Sequence, residues 1–304
     1  MATRAAGASS ELRSRAISAP FAIVALTVVV LAGGVGACIH WLLTGDPTWI
    51  NTFFRYPGAL FFLLMASIEL GLTLRVWRQF EPQDELGSAW ALLVLAASCH
   101  TLSAFFAQIL GQDSRLNPLV ASGPGRDTIG SLREFGVLVG GPLHMVVLAQ
   151  GLFLVLRTYK RLGLLVTKLT AVDYLLLGAV GAYTVVHLYE VAGILDGSPS
   201  FPRLIGWASD PLLSILLVEA VFLRRSVAQA GWGLVSKCWG AFCAAIFLTS
   251  LGDVGIWATW RGYLPPSLVA VSWYIWFPAS SAYALGPAYQ LEALRTARLG
   301  LRSS

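Results

Sequence analysis

Four histidines and several carboxylates fall inside stretches of the sequence that are otherwise apolar. The histidines are His40, His100, His144 and His187. Ionisable side chains are costly inside a bilayer, so they are expected to face a bundle interior or a functional cavity. His187 follows Tyr183 by four residues and precedes Glu190 by three, which places these three side chains on one helical face. The apolar stretch 172–195 that carries them is therefore a first candidate for chemistry.

The depths of these residues in their predicted spans favour one site. His144 and His187 each lie about eight residues from the outer end of a span, which is about 12 Å at 1.5 Å per residue. His100 lies near the midplane and His40 at the outer boundary. The supporting residues at comparable or middle depth are Tyr183, Glu190, Asp210, Asp253 and Glu69. We therefore expect a polar binding site in the outer half of the protein.

A histidine pair at matched depth on antiparallel helices is what a bis-histidine b-type haem requires. The predicted axial pair is His144 and His187, with His100 and His40 as a second pair. Glu190 would then tune His187, while Asp210 and Asp253 would set access and the local field. The pattern favours cofactor or ligand binding, with electron transfer through haem b ahead of the other choices.

Three alternatives stay open. A divalent metal could use His144, His187 and Glu190, because mixed imidazole and carboxylate ligands suit zinc, manganese or iron. An ion or proton path could use Glu69 and the outer carboxylates, in a transporter of ions, protons or small solutes. The chain could also bind no cofactor, its histidines only joining helices, as a non-catalytic subunit or receptor module that docks to a larger membrane complex.

Most enzyme classes are not expected. The sequence contains no GxSxG elbow, phosphate-binding loop, CxxCH attachment site or HExxH arrangement. A retinal protein would need a lysine deep in its last span, whereas the three lysines fall in inner loops or at a span end. Those lysines are Lys160, Lys168 and Lys237.

The elements that must position these residues are membrane helices. Apolar residues make up 56% of the chain and charged residues 12%, against about 25% charged in soluble domains. We expect an all-α bundle of about eight spans in one transmembrane domain, 21–290, between a cytoplasmic N-terminal tail, 1–20, and a cytoplasmic C-terminal tail, 291–304. The spans lie near 21–43, 58–76, 87–110, 136–156, 172–195, 204–223, 238–259 and 266–289. A seven-span alternative would make one late segment re-entrant, and Asp210-Pro211 is expected to break the sixth.

Loop cations set the predicted orientation. With eight spans and both termini inside, 15 of the 21 Lys and Arg residues fall on the inner side and 6 on the outer side. This bias explains the net charge of +5 without a nucleic-acid partner. The expected location is a bacterial inner membrane, and the expected partners are the lipid bilayer and membrane subunits. Near the inner end, Glu219 is expected to pair with Arg224 and Arg225.

Overall fold

The described part of the chain is helical throughout and contains no strand. The computed structural model describes residues 18–81, 83–106, 135–166, 168–195, 201–229, 233–260, 262–265 and 269–302. Its eight helices are α1 (Ala19–Thr44), α2 (Thr48–Trp77), α3 (Glu85–Phe106), α4 (Phe135–Arg161), α5 (Ala171–Leu195), α6 (Phe201–Gln229), α7 (Leu234–Trp260) and α8 (Val269–Arg302). Each overlaps one predicted segment, so the all-α prediction is confirmed.

Five of these helices are long and apolar enough to cross a membrane. They are α1, α2, α3, α4 and the Leu234–Ile256 part of α7. Large apolar side chains lie on the outer surface of α1, including Val29, Leu42 and Leu43. So much exposed apolar surface is unfavourable in water and favourable against lipid. The fold is thus compatible with a multi-pass helical membrane protein.

Six helices pack into a closed ring. In order around it, α2 contacts α3, α3 contacts α4, α4 contacts α6, α6 contacts α7, α7 contacts α8, and α8 returns to α2. Helix α1 packs on the outside of this ring, against α8 and the first turns of α2, and α5 packs on the outside against α6. The ring interior is filled by aromatic and aliphatic side chains, among them Trp90, Trp239 and Phe242. Polar groups that face this interior must therefore find protein partners.

Both ends of α1 are capped by hydrogen bonds. Helix α1 begins after Ser18, whose hydroxyl accepts a hydrogen bond from the Phe21 amide at 3.4 Å. It ends at Gly45, where φ is 70° and the amide donates to the Trp41 carbonyl at 2.8 Å. A left-handed residue at this position favours glycine, since no Cβ clashes there.

The expected break of the sixth segment at Asp210-Pro211 is wrong. Helix α6 runs without interruption from Phe201 to Gln229 with Pro211 inside it. Proline removes one amide donor, but neighbouring helices and local adjustment let membrane helices continue through it.

The expected ion pair of Glu219 with Arg224 and Arg225 is also wrong. Both arginines turn to Asp173 on α5, with Nη2 of Arg224 at 2.5 Å from Oδ1 and Nε of Arg225 at 3.5 Å from Oδ2. Within the described part, Oε2 of Glu219 is buried and has no hydrogen-bond partner. Residues five and six positions apart do not share a helical face, which is why the local pair cannot form.

Candidate functional site

A buried carboxylate and an imidazole meet where α2 and α3 pack. Oε2 of Glu69 lies 2.7 Å from Nδ1 of His100, and Glu69 is 3% exposed. The contact is one hydrogen bond, with its proton on either partner. One residue along α3, the Thr101 hydroxyl donates to the backbone carbonyl of Ala66 on α2 at 3.0 Å. The two helices are therefore fixed against each other at the level of the pair.

Two further side chains complete the site. The imidazole of His144 on α4 stacks on that of His100, with ring centroids 5.6 Å apart and planes 29° apart. The ring of Tyr283 on α8 stands edge-on to both, at 5.6 Å from His100 and 6.0 Å from His144. We refer to Glu69, His100, His144 and Tyr283 as the histidine cluster. It joins four of the six helices of the ring.

One imidazole nitrogen of the cluster lacks a hydrogen-bond partner among the described residues. His144 is buried, and its Nε2 has no hydrogen-bond partner in the described part of the protein. The backbone carbonyl of Gly140, one turn earlier, accepts a hydrogen bond from the same imidazole. The hydroxyl of Tyr283 interacts electrostatically with the Glu69 and Asp253 carboxylates. The cluster thus combines a carboxylic acid, two imidazoles and a phenol, all able to hold or release a proton.

A distorted turn of α4 sets the position of His144. Residues Val139–Leu143 form a π-helical segment that contains Pro142, and Gly141 leaves helical geometry at φ −87°, ψ −105°. Such segments shift the register of the side chains that follow and are frequent at functional sites. A Cβ built on Gly140 would lie 2.0 Å from Oγ of Ser103 on α3, so only glycine allows this approach. The close contact brings His144 against His100.

The other predicted site residues are separated from this cluster or cannot be placed. His40 on α1 contacts Trp49, with ring centroids 5.6 Å apart. The side chains of His187, Glu190 and Asp210 lie outside the described residues. Tyr183 is half-buried on α5, and Thr184 beside it donates to the Ser214 hydroxyl on α6 at 2.7 Å.

The cluster geometry bears on the expected cofactors. A 5.6 Å stack of His100 on His144 leaves no room for a flat macrocycle between these two rings. Axial ligation by His144 and His187 stays a prediction, as does the metal site of His144, His187 and Glu190. In the part of the chain that the structure describes, no three His, Cys, Asp or Glu side chains converge as metal ligands.

Tyr283 was not among the residues singled out from the sequence. Its signal is weak, because the last segment carries several aromatic residues and a tyrosine near the middle of a span resembles ordinary packing. Only the structure shows that its ring lies beside His100 and His144. Comparison with known proteins found no matching family model, no curated relative and no similar solved structure.

Proposed function

We propose that this chain moves protons across a membrane, and that the histidine cluster is the proton-binding site on the path. The observation that carries the proposal is the 2.7 Å contact of the buried Glu69 carboxylate with Nδ1 of His100. Ionisable groups inside membrane bundles typically mark ion pathways and proton relays. This is the proton-path alternative raised by the sequence, which already included Glu69, with His100, His144 and Tyr283 in place of the outer carboxylates.

The charge balance of the pair supports this role. With one proton, Glu69 and His100 are together neutral, whereas zero or two protons leave a net charge in a low-dielectric interior. Two positive charges on the stacked imidazoles, 5.6 Å apart, would repel each other by about 3 kcal/mol at an effective dielectric constant of 20.

Proton flux into vesicles tests the proposal. The full chain is reconstituted into vesicles that contain a pH-sensitive dye, with potassium and valinomycin to clamp the potential, and the outer pH is lowered. We expect internal acidification faster than in protein-free vesicles, and a return to the protein-free rate in Glu69→Gln and His100→Gln. Both substitutions keep side-chain volume close to the original, and a matching elution profile and helical content would confirm folding.

Glu85→Gln is the matched control for the vesicle experiment. It makes the same chemical change at a carboxylate near the start of α3, where Glu85 pairs with exposed Arg157 and Arg161. This variant should retain the wild-type flux. Vesicles with wild-type protein that acidify no faster than empty ones would end the proton-path proposal and leave the pair as a link between helices.

A bound cofactor is the second candidate. Imidazoles that ligate metals usually donate their other N–H to a carboxylate, which is the relation of His100 to Glu69. The unpartnered Nε2 of His144 adds a second nitrogen. The cofactor would be haem b held by His144 and His187, or a divalent metal held by His144, His187 and Glu190. An absorption spectrum and metal analysis of the purified protein test it, because a sample without a Soret band or stoichiometric metal would contradict it.

We also propose how the chain is arranged in the membrane. Eight spans, both termini in the cytoplasm and a bacterial inner membrane fit the distribution of cations and the eight helices. Docking to partner subunits is the alternative of a different class, and would be supported if other membrane proteins co-purified in fixed ratio. Single-cysteine labelling from each side of sealed vesicles would test the orientation.

A further inference from the structure

A basic groove lies where the end of α2 meets the last turns of α8. It has a volume of about 180 Å³ and is lined by Arg75, Gln79, Leu291, Leu294, Arg295 and Arg298. The three arginines and Gln79 are exposed, while Leu291 is buried and Leu294 half-buried. Two helices far apart in sequence thus bring three guanidinium groups and an apolar wall to one place.

The charges of the groove are not neutralised by the described protein. None of the three arginines forms an ion pair within the described residues, including with Glu292, one turn before Arg295 on α8. Arg75 lies in the last turn of α2, close to the negative end of that helix dipole. Three unpaired guanidinium groups at one groove favour an anion.

We propose that this groove binds the phosphate of an anionic phospholipid headgroup. Arg75 lies at the inner end of its predicted span, and Arg295 lies about 9 Å beyond the end of the last one at 1.5 Å per residue. The headgroup layer extends about 5–8 Å beyond the hydrocarbon core, so the groove spans this layer from Arg75 at its inner edge to just beyond it at Arg295. Basic pockets between membrane helices on the cytoplasmic side are typical sites for anionic lipid headgroups.

The apolar wall favours a lipid over free phosphate. Leu291 and Leu294 form one side of the groove, and exposed Leu64 lies about three helical turns before Arg75 on α2. Acyl chains can follow this surface while the phosphate contacts the arginines. A free phosphate would gain nothing from these leucines.

Native mass spectrometry of the full chain tests the site. The protein in detergent is mixed with phosphatidylglycerol or with phosphatidylcholine, and bound lipids are counted. We expect phosphatidylglycerol to bind the wild type in preference, and Arg75→Gln/Arg295→Gln to weaken that binding by about tenfold or more. Phosphatidylcholine binding should not change.

The control variant removes the same two charges elsewhere on the predicted inner side. Arg157→Gln/Arg161→Gln deletes two arginines that are already paired with Glu85, at 3.4 Å and 2.7 Å. Phosphatidylglycerol binding by this variant should stay within about twofold of the wild type. An equal loss in both variants, or no loss in the groove variant, would overturn the proposal, because binding would then follow overall charge or occur elsewhere.

Two further measurements complete the test. The first distinguishes a lipid headgroup from free phosphate as the ligand, and the second leaves the arginines unchanged, so that its result does not depend on the folding of the Arg→Gln variants. Inorganic phosphate at millimolar concentration should not displace phosphatidylglycerol; displacement would identify a small-anion site instead. A photoreactive group on Gln79→Cys should crosslink to phosphatidylglycerol with all three arginines intact, and failure to crosslink would contradict the lipid site independently of the Arg→Gln variants.

Discussion

Oε2 of Glu69 on α2 and Nδ1 of His100 on α3 lie 2.7 Å apart, and the carboxylate is almost fully buried. A double-mutant cycle with alanine at both positions should give a coupling energy above about 2 kcal/mol. Neutral hydrogen bonds between membrane helices couple by about 0.6 kcal/mol on average and 1.7 kcal/mol at most. Breaking a buried ion pair costs about 3–5 kcal/mol. The free energy of unfolding in bicelles gives the coupling.

The size of this coupling separates two roles for the pair. A value near 0.6 kcal/mol would indicate a neutral link between helices and weaken the proton proposal. Glu69→Ala combined with His40→Ala is the control, because His40 contacts Trp49 outside the cluster. Those two changes should add within about 0.5 kcal/mol.

Gly140→Ala should destabilise the protein and disturb His144. The new Cβ would meet Oγ and Cβ of Ser103 at 2.0 and 2.3 Å, so α3 and α4 must move apart. We expect a loss of about 1–3 kcal/mol in the free energy of unfolding. Ser103→Gly should recover most of it, since it removes both atoms that clash.

Gly36→Ala on α1 is the matched control for the glycine change. No heavy atom lies within 4 Å of a Cβ built there, so alanine should be neutral or stabilising by up to about 1 kcal/mol through helix propensity. If Gly140→Ala behaved like Gly36→Ala, the close approach of α4 to α3 would not hold.

Asp173→Asn should loosen α5 from the ring. The Asp173 carboxylate is fully buried, accepts hydrogen bonds from the amide and hydroxyl of Thr170 at 2.8 and 2.6 Å, and pairs with Arg224 and Arg225. We expect a loss of about 3 kcal/mol, at the low end for a broken buried pair, because both arginines can turn toward water. Hydrogen exchange should accelerate along α5 and much less along α3.

Glu85→Gln gives the comparison for the Asp173 change. Its partners Arg157 and Arg161 are half exposed, so the loss should stay below about 1 kcal/mol. Equal effects of the two substitutions would show that burial of Asp173 does not strengthen its ion pairs.

The positions of the helices could be predicted, because length and apolarity decide which segments form membrane helices. Helix α2 nevertheless begins ten residues before its predicted span, at Thr48. Its first turns contain Trp49 and Ile50 but also polar residues and Pro57, which lower the apolar signal without preventing a helix. Composition therefore marks the apolar part of a helix and misses its polar extension.

The partners within the site could not be predicted in the same way. Depth along the spans drew attention to Glu69, His100 and His144, since depth follows from counting residues; in the structure Glu69 and His144 are buried and His100 is partly buried. Which of them meet depends on which helices adjoin, and one sequence contains no signal for that. The pairing of His144 with His187 stays a prediction; in the described part of the chain α4 packs against α3, and α5 packs outside the ring against α6. The contact of His144 with His100 follows from that packing.

Asp46 should titrate below its ordinary range. The hydroxyl and amide of Thr48 donate to its Oδ1 at 2.6 and 2.9 Å, and these bonds lower the pKa of the Asp46 carboxyl below 3.8. Because the pKa of Asp46 is lower in the folded state than in the unfolded state, its ionised carboxyl group stabilises the fold at pH values above the unfolded pKa. That contribution is lost as pH falls through the folded pKa, so the difference in Tm between wild type and Asp46→Asn should shrink below about pH 4.

Thr48→Val removes the hydroxyl donor, which is the largest cause of the shift, and should raise the pKa of Asp46 in a carboxyl-carbon NMR titration. An unchanged pKa in Thr48→Val would mean that Asp46 does not cap the start of α2.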